Sequence, residues 1–140
     1  IAVILASRGL VGKLIIVDGA GLKPRKSLKT VLKTRIFKIR RALGLNVDKY
    51  GSPDYQALDD HMKKVFVRIV CSDLKSLLPL VKSETLIVWG KNDRDTPPYM
   101  AKQFKEGISG SEIVWLDGGH FAYLENPFVF LKITEAFLCR

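Results

Sequence analysis

The sequence predicts an α/β fold built around a parallel sheet. Three short apolar runs, over residues 13–17, 85–89 and 112–116, each end at glycine and polar residues, as strands buried in a parallel sheet do. Segments with helical periodicity flank and separate these runs, and such alternation predicts right-handed β-α-β crossovers. A length of 140 residues with 47% hydrophobic content suits one compact domain and is too short for two.

The first half of the chain predicts a helix, a strand and a second helix. Residues 1–9 have the character of a helix already under way and carry no initiator methionine, so we expect a fragment. The strand over 13–17 follows. The next helix spans about 27–43 and ends at Gly44, with one apolar stripe formed by Leu28, Val31, Leu32, Ile36, Ile39 and Leu43.

The second half begins with another amphipathic helix, which residues 52–54 open with a serine cap, a proline and an acid. Its apolar face comprises Leu58, Met62, Val65, Phe66 and Ile69. A short helical turn over 73–78, closed by Pro79, leads into the regular part. There the sequence predicts a strand over 85–89 and then a helix to about Glu106, with Thr96 as its cap and Pro97 at its first position. A strand over 112–116 and a helix from Asn126 and Pro127 to Leu138 follow.

The net charge of +9 belongs to one segment. Residues 23–41 contain nine Lys or Arg and no acid, and the rest of the chain holds 14 basic and 14 acidic residues. Such a segment is a solvated helix face, a lid over a site, or a surface for anionic partners. We expect no nucleic-acid binding, because neither zinc-ligand spacing nor an aromatic stacking pattern accompanies the charge.

Cysteine content and hydropathy bear on the cellular compartment of the protein. Two cysteines far apart, without metal-ligand spacing, indicate a reducing compartment rather than a disulfide framework, so we expect a cytoplasmic protein. No apolar run approaches the roughly 20 residues of a membrane span, and no signal peptide is visible in these residues. A signal further upstream is left open.

Two residues with catalytic character follow two of the predicted strands. Asp93 comes after 85–89 and His120 after 112–116, and the carboxyl ends of parallel strands share one edge of a sheet. Asp18 follows 13–17 and is expected at the same edge. An acid followed by a histidine matches the second and third members of a nucleophile, acid and base order.

The nucleophile of such a triad is missing from the sequence. A serine nucleophile needs a G-x-S-x-G turn, and the nearest segment, 107–111, has a serine where the last glycine belongs. We interpret Ser109 as a turn residue. Cys71 and Cys139 lie in or beside apolar helical runs, which predicts buried, unreactive thiols.

The segments LIVWGKNDRDTP (86–97), GGHF (118–121) and ENP (125–127) resemble the C-terminal portion of α/β-hydrolase-fold proteins. The resemblance covers essentially all 140 residues. It implies a hydrolase core over 1–22 and 79–140, with a helical cap inserted over 23–78.

The resemblance also implies site residues. Asp93 would be the triad acid and His120 the base. Asp95, a loop carboxylate, is a rival for the acid. Asp18 is another, because residues 13–21 resemble the sixth strand of the fold and some members carry the acid after that strand. His61, within a cap helix, is expected to be solvated or packed.

The function implied is that of a fragment of a serine-type hydrolase, which would cleave an ester, amide or C–C bond in a small molecule. The fragment would supply the acid and histidine, be inactive alone and need no cofactor or metal. Strand 13–17 would expose an unpaired edge, so we expect either a missing N-terminal half or self-association to cover it. The alternative is a non-catalytic module that binds anionic partners through the basic helix 23–41.

Overall fold

The computed structural model describes residues 1–23, 35–36, 39–40, 42–44, 56–70 and 72–140. Within these residues the elements are α1 (Ala2–Ser7), β1 (Lys13–Val17), α2 (Asp60–Val70), a 3₁₀ helix (Lys75–Leu80), β2 (Glu84–Gly90), α3 (Pro98–Gly107), β3 (Glu112–Leu116), α4 (Ala122–Glu125) and α5 (Pro127–Leu138). The chain divides into two compact units. One consists of Ile1–Leu22 with Asp73–Arg140, and the other of Lys23–Ser72.

The described strands form a parallel sheet in the order β1-β2-β3. β1 pairs with β2 from Lys13 opposite Glu84 to Val17 opposite Val88. β2 pairs with β3 up to Gly90 opposite Leu116. The prediction of a parallel sheet is therefore confirmed, and the loops after all three strands leave the same edge.

Helices cover both faces of this sheet. On one face α1, α3 and the 3₁₀ helix pack on Leu14, Ile16 and Ile87 of the strands, with the Trp89 ring centroid 5.9 Å from that of Phe104. The other face buries Leu86, Val88 and Leu116 against α4 and α5. Burial on both faces explains why the strand sequences are continuously apolar instead of alternating.

The strands 13–17 and 112–116 and the helix over 127–138 have the predicted bounds. Two details differ. Pro79 lies inside the 3₁₀ helix rather than closing a turn, because so short a helix makes few internal hydrogen bonds and loses little through a missing N–H. α4 was not predicted, since its four residues are too few to show a helical period.

In the second unit, residues 56 and 57 of the helix predicted to open at 52–54 are helical, and a bend at Leu58 separates them from α2. α2 begins at Asp60, where the Asp59 Oδ1 accepts a hydrogen bond of 2.7 Å from the Met62 N–H and so caps the helix. Residues 51–55 lie outside the described residues. This unit ends at Ser72, and residues 73–78, which the resemblance assigned to the insert, belong to the first unit.

Most of the basic segment 23–41 also lies outside the described residues, so its proposed roles stay predictions. Across the part of the chain that the structure describes, no helix has both the length and the hydrophobicity required to cross a bilayer.

Candidate active site

Asp93 and His120 meet at the carboxyl edge of the sheet. The His120 Nδ1 lies 2.9 Å from the Asp93 Oδ2. The Asp93 side chain is completely buried, whereas that of His120 is 30% exposed. The Asp93 carboxylate is therefore enclosed by protein, while the His120 imidazole reaches toward the surface.

Both oxygens of the Asp93 carboxylate are occupied by hydrogen-bond donors. The Oδ1 accepts the N–H groups of Asp95 at 2.8 Å and Thr96 at 3.0 Å. The Oδ2 faces the Thr96 hydroxyl at 2.7 Å as well as the imidazole. Four donors around one buried carboxylate fix its orientation and offset the cost of removing it from water.

These contacts shift both pKa values. Burial would raise the pKa of Asp93, but the hydrogen bonds from His120 and Thr96 outweigh burial and hold that pKa below 3.8. Burial would lower the pKa of His120, but the hydrogen bond and charge of Asp93 outweigh burial and raise it above 6.5. The carboxylate is thus ionised and ready to stabilise an imidazolium.

The second nitrogen of His120 is the group left for chemistry. With Nδ1 committed to Asp93, the Nε2 makes no hydrogen bond within the described parts of the chain. The exposed Phe121 ring packs edge-on to the imidazole, with centroids 5.1 Å apart. An imidazole held as the Nδ1–H tautomer presents the Nε2 lone pair as a proton acceptor.

Main-chain hydrogen bonds hold the two loops at this spacing. The N–H of Lys91 donates to the Leu116 carbonyl and that of Asn92 to the Gly118 carbonyl, each at 2.9 Å. A Cβ on Gly90 would clash with the Gly119 carbonyl, so only glycine fits at the end of β2. Gly90 therefore lets the end of β2 contact the backbone of the histidine loop at Gly119.

The histidine loop is fixed from its other side by α4 and the residue after it. The Glu125 carboxylate accepts the Gly119 N–H at 3.3 Å, and the Asn126 amide donates to the Asp117 carbonyl at 2.5 Å. Gly118 has φ of +137°, and a Cβ there would clash with the Glu125 carboxylate. Glu125 and Asn126 of the ENP segment therefore hold the loop that carries His120.

Asp18 lies next to this pair without bonding to the imidazole. It is 6% exposed and has φ of +40°, a left-handed conformation that Asp tolerates better than most residues. Its Oδ1 accepts the Gly90 N–H at 2.8 Å, and its Oδ2 is buried without a partner among the described residues. Burial and the charge of Asp93 raise the pKa of Asp18 to about 6, despite the hydrogen bond from Gly90.

Asp95 is the remaining acid near the site. It is exposed and contributes its N–H to Asp93. Asp93, Asp95 and His120 offer ligand-type atoms within 4.8 Å of one another, as a metal ion would require. Both oxygens of Asp93 are already engaged by N–H and O–H donors, however, and this suits a hydrogen-bonded relay better than a metal centre. Of the three candidate acids, Asp93 is the one that contacts the imidazole.

Other residues weighed from the sequence lie away from this contact. Ser109 occupies an exposed turn next to Gly110, as predicted. Cys139 is exposed, so the expectation of a buried thiol was wrong: it lies after the last turn of α5, where the chain leaves the helix. Cys71 lies outside the described residues, and His61 is exposed on α2.

Thr96 is the site residue whose role the sequence did not predict. It was assigned to a helix cap, but the cap of α3 is Pro97 and the Thr96 hydroxyl bonds to Asp93 instead. Its signal was the spacing, because a residue three positions after an aspartate commonly donates back to that carboxylate.

Comparisons with known proteins agree with this architecture. An enol-lactonase from Burkholderia xenovorans LB400 superposes with a TM-score of 0.64 and 19% identity over 99% of this chain and 61% of its own. An α/β hydrolase from a Medee basin deep-sea metagenome library gives 0.64 and 20% over 99% and 61%. The chain has the α/β-hydrolase fold. The resemblance noted in the sequence is confirmed for the fold.

Sequence relatives cover a smaller part. A 2-hydroxy-6-oxononadienedioate/2-hydroxy-6-oxononatrienedioate hydrolase of Escherichia coli O139:H28 is 39% identical over 69 residues, which are 49% of this chain and 24% of that protein. The match therefore spans about a quarter of that relative's length. No family model matches the chain.

Proposed function

We propose that Asp93 and His120 are the acid and the base of a serine-type hydrolase site. The observation that carries the proposal is the 2.9 Å contact between the buried Asp93 carboxylate and His120 Nδ1, with Nε2 left unbonded among the described residues. The fold and its hydrolase neighbours support the same reaction class.

In this mechanism the His120 Nε2 takes a proton from the attacking hydroxyl and returns it to the leaving group. Asp93 keeps the proton of the neutral imidazole on Nδ1 and stabilises the imidazolium that forms. A raised His120 pKa fits this task, because the base must hold a proton transiently. The nucleophile and the backbone donors that stabilise the oxyanion would come from residues other than these 140, since no G-x-S-x-G turn occurs among them.

The proposal can be tested by comparing this chain with the same chain preceded by its native upstream sequence. We expect the chain alone to leave an activated ester unhydrolysed and the extended protein to hydrolyse it. In the extended protein, His120→Ala should lower kcat by about 10⁴-fold or more, because the base is lost. His61→Ala is the matched control and should leave kcat unchanged, since His61 is exposed on α2.

Two results would contradict the proposal. One is an upstream sequence without a Ser, Cys or Asp at a nucleophile turn. The other is hydrolysis by the 140-residue chain that His120→Ala abolishes, which would contradict the placement of the nucleophile outside these residues but not the role of His120.

The bond cleaved in the substrate is proposed to be an ester, an amide or a C–C bond. The relatives from E. coli act on a hydroxy-oxo dicarboxylate according to their names, and this class belongs in an assay panel with an activated ester and an anilide. The bond that the extended protein cleaves fastest, with a rate that His120→Ala abolishes, identifies the class. If the extended protein cleaves none of them, the three-class proposal is wrong.

A further strand is proposed to pair with β1. Among the described strands β1 pairs with β2 on one side, so its other edge offers unpaired backbone groups beside an apolar sequence. We expect light scattering to show self-association of the 140-residue chain and a monomer once the upstream sequence is present. A monomeric 140-residue chain with fast amide exchange along 13–17 would contradict this.

A further inference from the structure

Thr96 is bonded through every polar atom it possesses. Its N–H donates to Asp93 Oδ1 at 3.0 Å, its hydroxyl contacts Asp93 Oδ2 at 2.7 Å, and its carbonyl accepts the Trp89 indole N–H at 2.8 Å. Trp89 is fully buried in the core. Thr96 therefore connects the Asp93 carboxylate to a side chain in the buried core.

The Thr96 hydroxyl also reaches the end of β1. Its Oγ1 lies 3.0 Å from the Asp18 carbonyl and 3.4 Å from His120 Nδ1. One hydroxyl hydrogen serves these neighbours, and the ionised Asp93 Oδ2 at 2.7 Å is the strongest acceptor among them. A three-centre bond to Asp93 and the Asp18 carbonyl accounts for both short distances.

The Thr96 hydroxyl and the backbone donors hold different oxygens of the Asp93 carboxylate. Those donors hold Oδ1, the oxygen that faces away from the imidazole. The Oδ2, which must meet His120, has two partners, and the imidazole moves a proton during the proposed reaction. The Thr96 hydroxyl is then the partner of Oδ2 that stays the same throughout.

We propose that the Thr96 hydroxyl is a positioning group of this site, which holds the Asp93 carboxylate on His120 Nδ1 and ties both to the end of β1. The proposal rests on the assignment of Asp93 and His120 as acid and base. It concerns the strength of their contact, which can be measured in this chain without turnover.

The experiment is NMR on the 140-residue chain with labelled histidine. The chain has two histidines, so the exposed His61 serves as an internal reference for His120. The observables are the downfield Nδ1–H proton of His120, its exchange rate with water and the pH midpoint of the ring. Asp93→Asn defines the signal expected when the contact is broken.

We expect Thr96→Val to speed exchange of the His120 Nδ1–H by about tenfold or more, as loss of a hydrogen bond to a charged group predicts. The pH midpoint of the His120 ring should fall, because the contact with Asp93 that raises the His120 pKa is weakened. Thr96→Ser keeps the hydroxyl and should stay within about twofold of the wild type. In the wild type, the Thr96 hydroxyl proton should itself exchange slowly enough to be observed, and this holds even if Thr96→Val fails to fold.

The outcomes separate this proposal from the proposed function. If Asp93→Asn leaves the His120 signal unchanged, the acid–base assignment fails. If Asp93→Asn abolishes the signal but Thr96→Val leaves or strengthens it, the positioning role of Thr96 fails while the assignment survives. A Thr96→Ser variant that behaves as Thr96→Val, or a wild-type hydroxyl proton in fast exchange while the Nδ1–H is visible, would also overturn the role of Thr96.

Discussion

The two ends of the sheet differ in whether their ionisable side chains are buried or near water. At the carboxyl end, the carboxyl groups of Asp18 and Asp93 are buried and bonded to N–H and O–H donors. At the amino end, each strand starts with a charged residue that stays near water: Lys13, Glu84 and Glu112. Burying the two carboxyl groups at the carboxyl end costs desolvation energy, whereas the charged groups at the amino end keep their contact with water.

The difference shows where the fold holds its reactive groups. A buried carboxylate surrounded by fixed donors has a defined orientation and a shifted pKa, which are the properties that acid–base chemistry needs. The exposed pairs at the amino end, such as Lys13 with Glu84 at 3.5 Å, are screened by solvent and bring little energy. Position along the strand thus separates the site from the supporting surface.

Lys13 is the most connected residue of the amino end. Its Nζ donates to the carbonyls of Phe137 at 2.8 Å and Arg140 at 3.1 Å, at the C-terminal end of α5. These carbonyls have no partner within the helix, and a cation there also interacts favourably with the helix dipole. Lys13 therefore attaches the last helix to the start of β1.

The largest expected effect comes from placing a methyl group between the loop after β2 and the loop after β3. Gly90→Ala would place a Cβ against the Gly119 carbonyl, so the loops must separate. We expect the free energy of unfolding, measured with denaturant, to fall by about 3 kcal/mol. Gly12→Ala is the control: its Cβ would meet no atom within 4 Å, and the change should stay within about 0.5 kcal/mol. Equal effects of the two variants would show that the loops tolerate separation.

A smaller effect is expected from neutralising Asp18. Because burial raises its pKa to about 6, the folded state favours the protonated carboxyl, and ionisation costs stability as the pH rises from about 4 to beyond 6. Asp18→Asn keeps an acceptor for the Gly90 N–H and removes this charge. Unfolding measured at several pH values should show the variant about 2 kcal/mol more stable than the wild type above pH 7 and no more stable below pH 4.

The matched control for Asp18 is Asp117→Asn, whose side chain is 82% exposed and paired with Lys91. It should change stability by less than about 0.5 kcal/mol at any of these pH values. A wild type whose advantage over Asp18→Asn increases with pH would reverse the sign and show that Asp18 is stabilised as a carboxylate.

The smallest effect belongs to the amino end. Lys13→Met keeps most of the aliphatic length but removes the donor to the α5 carbonyls, and should lower the free energy of unfolding by about 1 kcal/mol. Amide exchange near the end of α5 should quicken. Lys132→Met, which removes an exposed pair with Glu135, should change neither quantity. A loss as large as that of Gly90→Ala would mean that the two ends do not differ in the way described.

The sequence was sufficient for the sheet and for the convergence of Asp18, Asp93 and His120 on one edge of it. Buried parallel strands have a continuous apolar pattern, and residues that follow such strands must converge on one edge whatever the details of packing. The identity of the acid was less determined, because Asp18, Asp93 and Asp95 all satisfy that rule. The hydrogen bond to the imidazole distinguishes them, and it depends on loop geometry.

What could not be predicted depends on contacts between distant segments. The Asp18 carboxyl reaches Gly90 across 72 positions, and Lys13 reaches Phe137 across 124. Neither contact leaves a local pattern, since the partner in each case is a backbone group present at every position. Thr96 is the intermediate case, because its spacing from Asp93 was visible but was interpreted as a helix cap.

The main-chain bonds from Lys91 and Asn92 to the histidine loop have a consequence for variation of this protein. An amide N–H is supplied by every amino acid except proline, so these two positions can change their side chains without altering the distance from Asp93 to His120. The side chains and the surface charge beside the candidate site can therefore diverge while this contact stays constant. Proline at position 91 or 92 is the substitution that this freedom excludes.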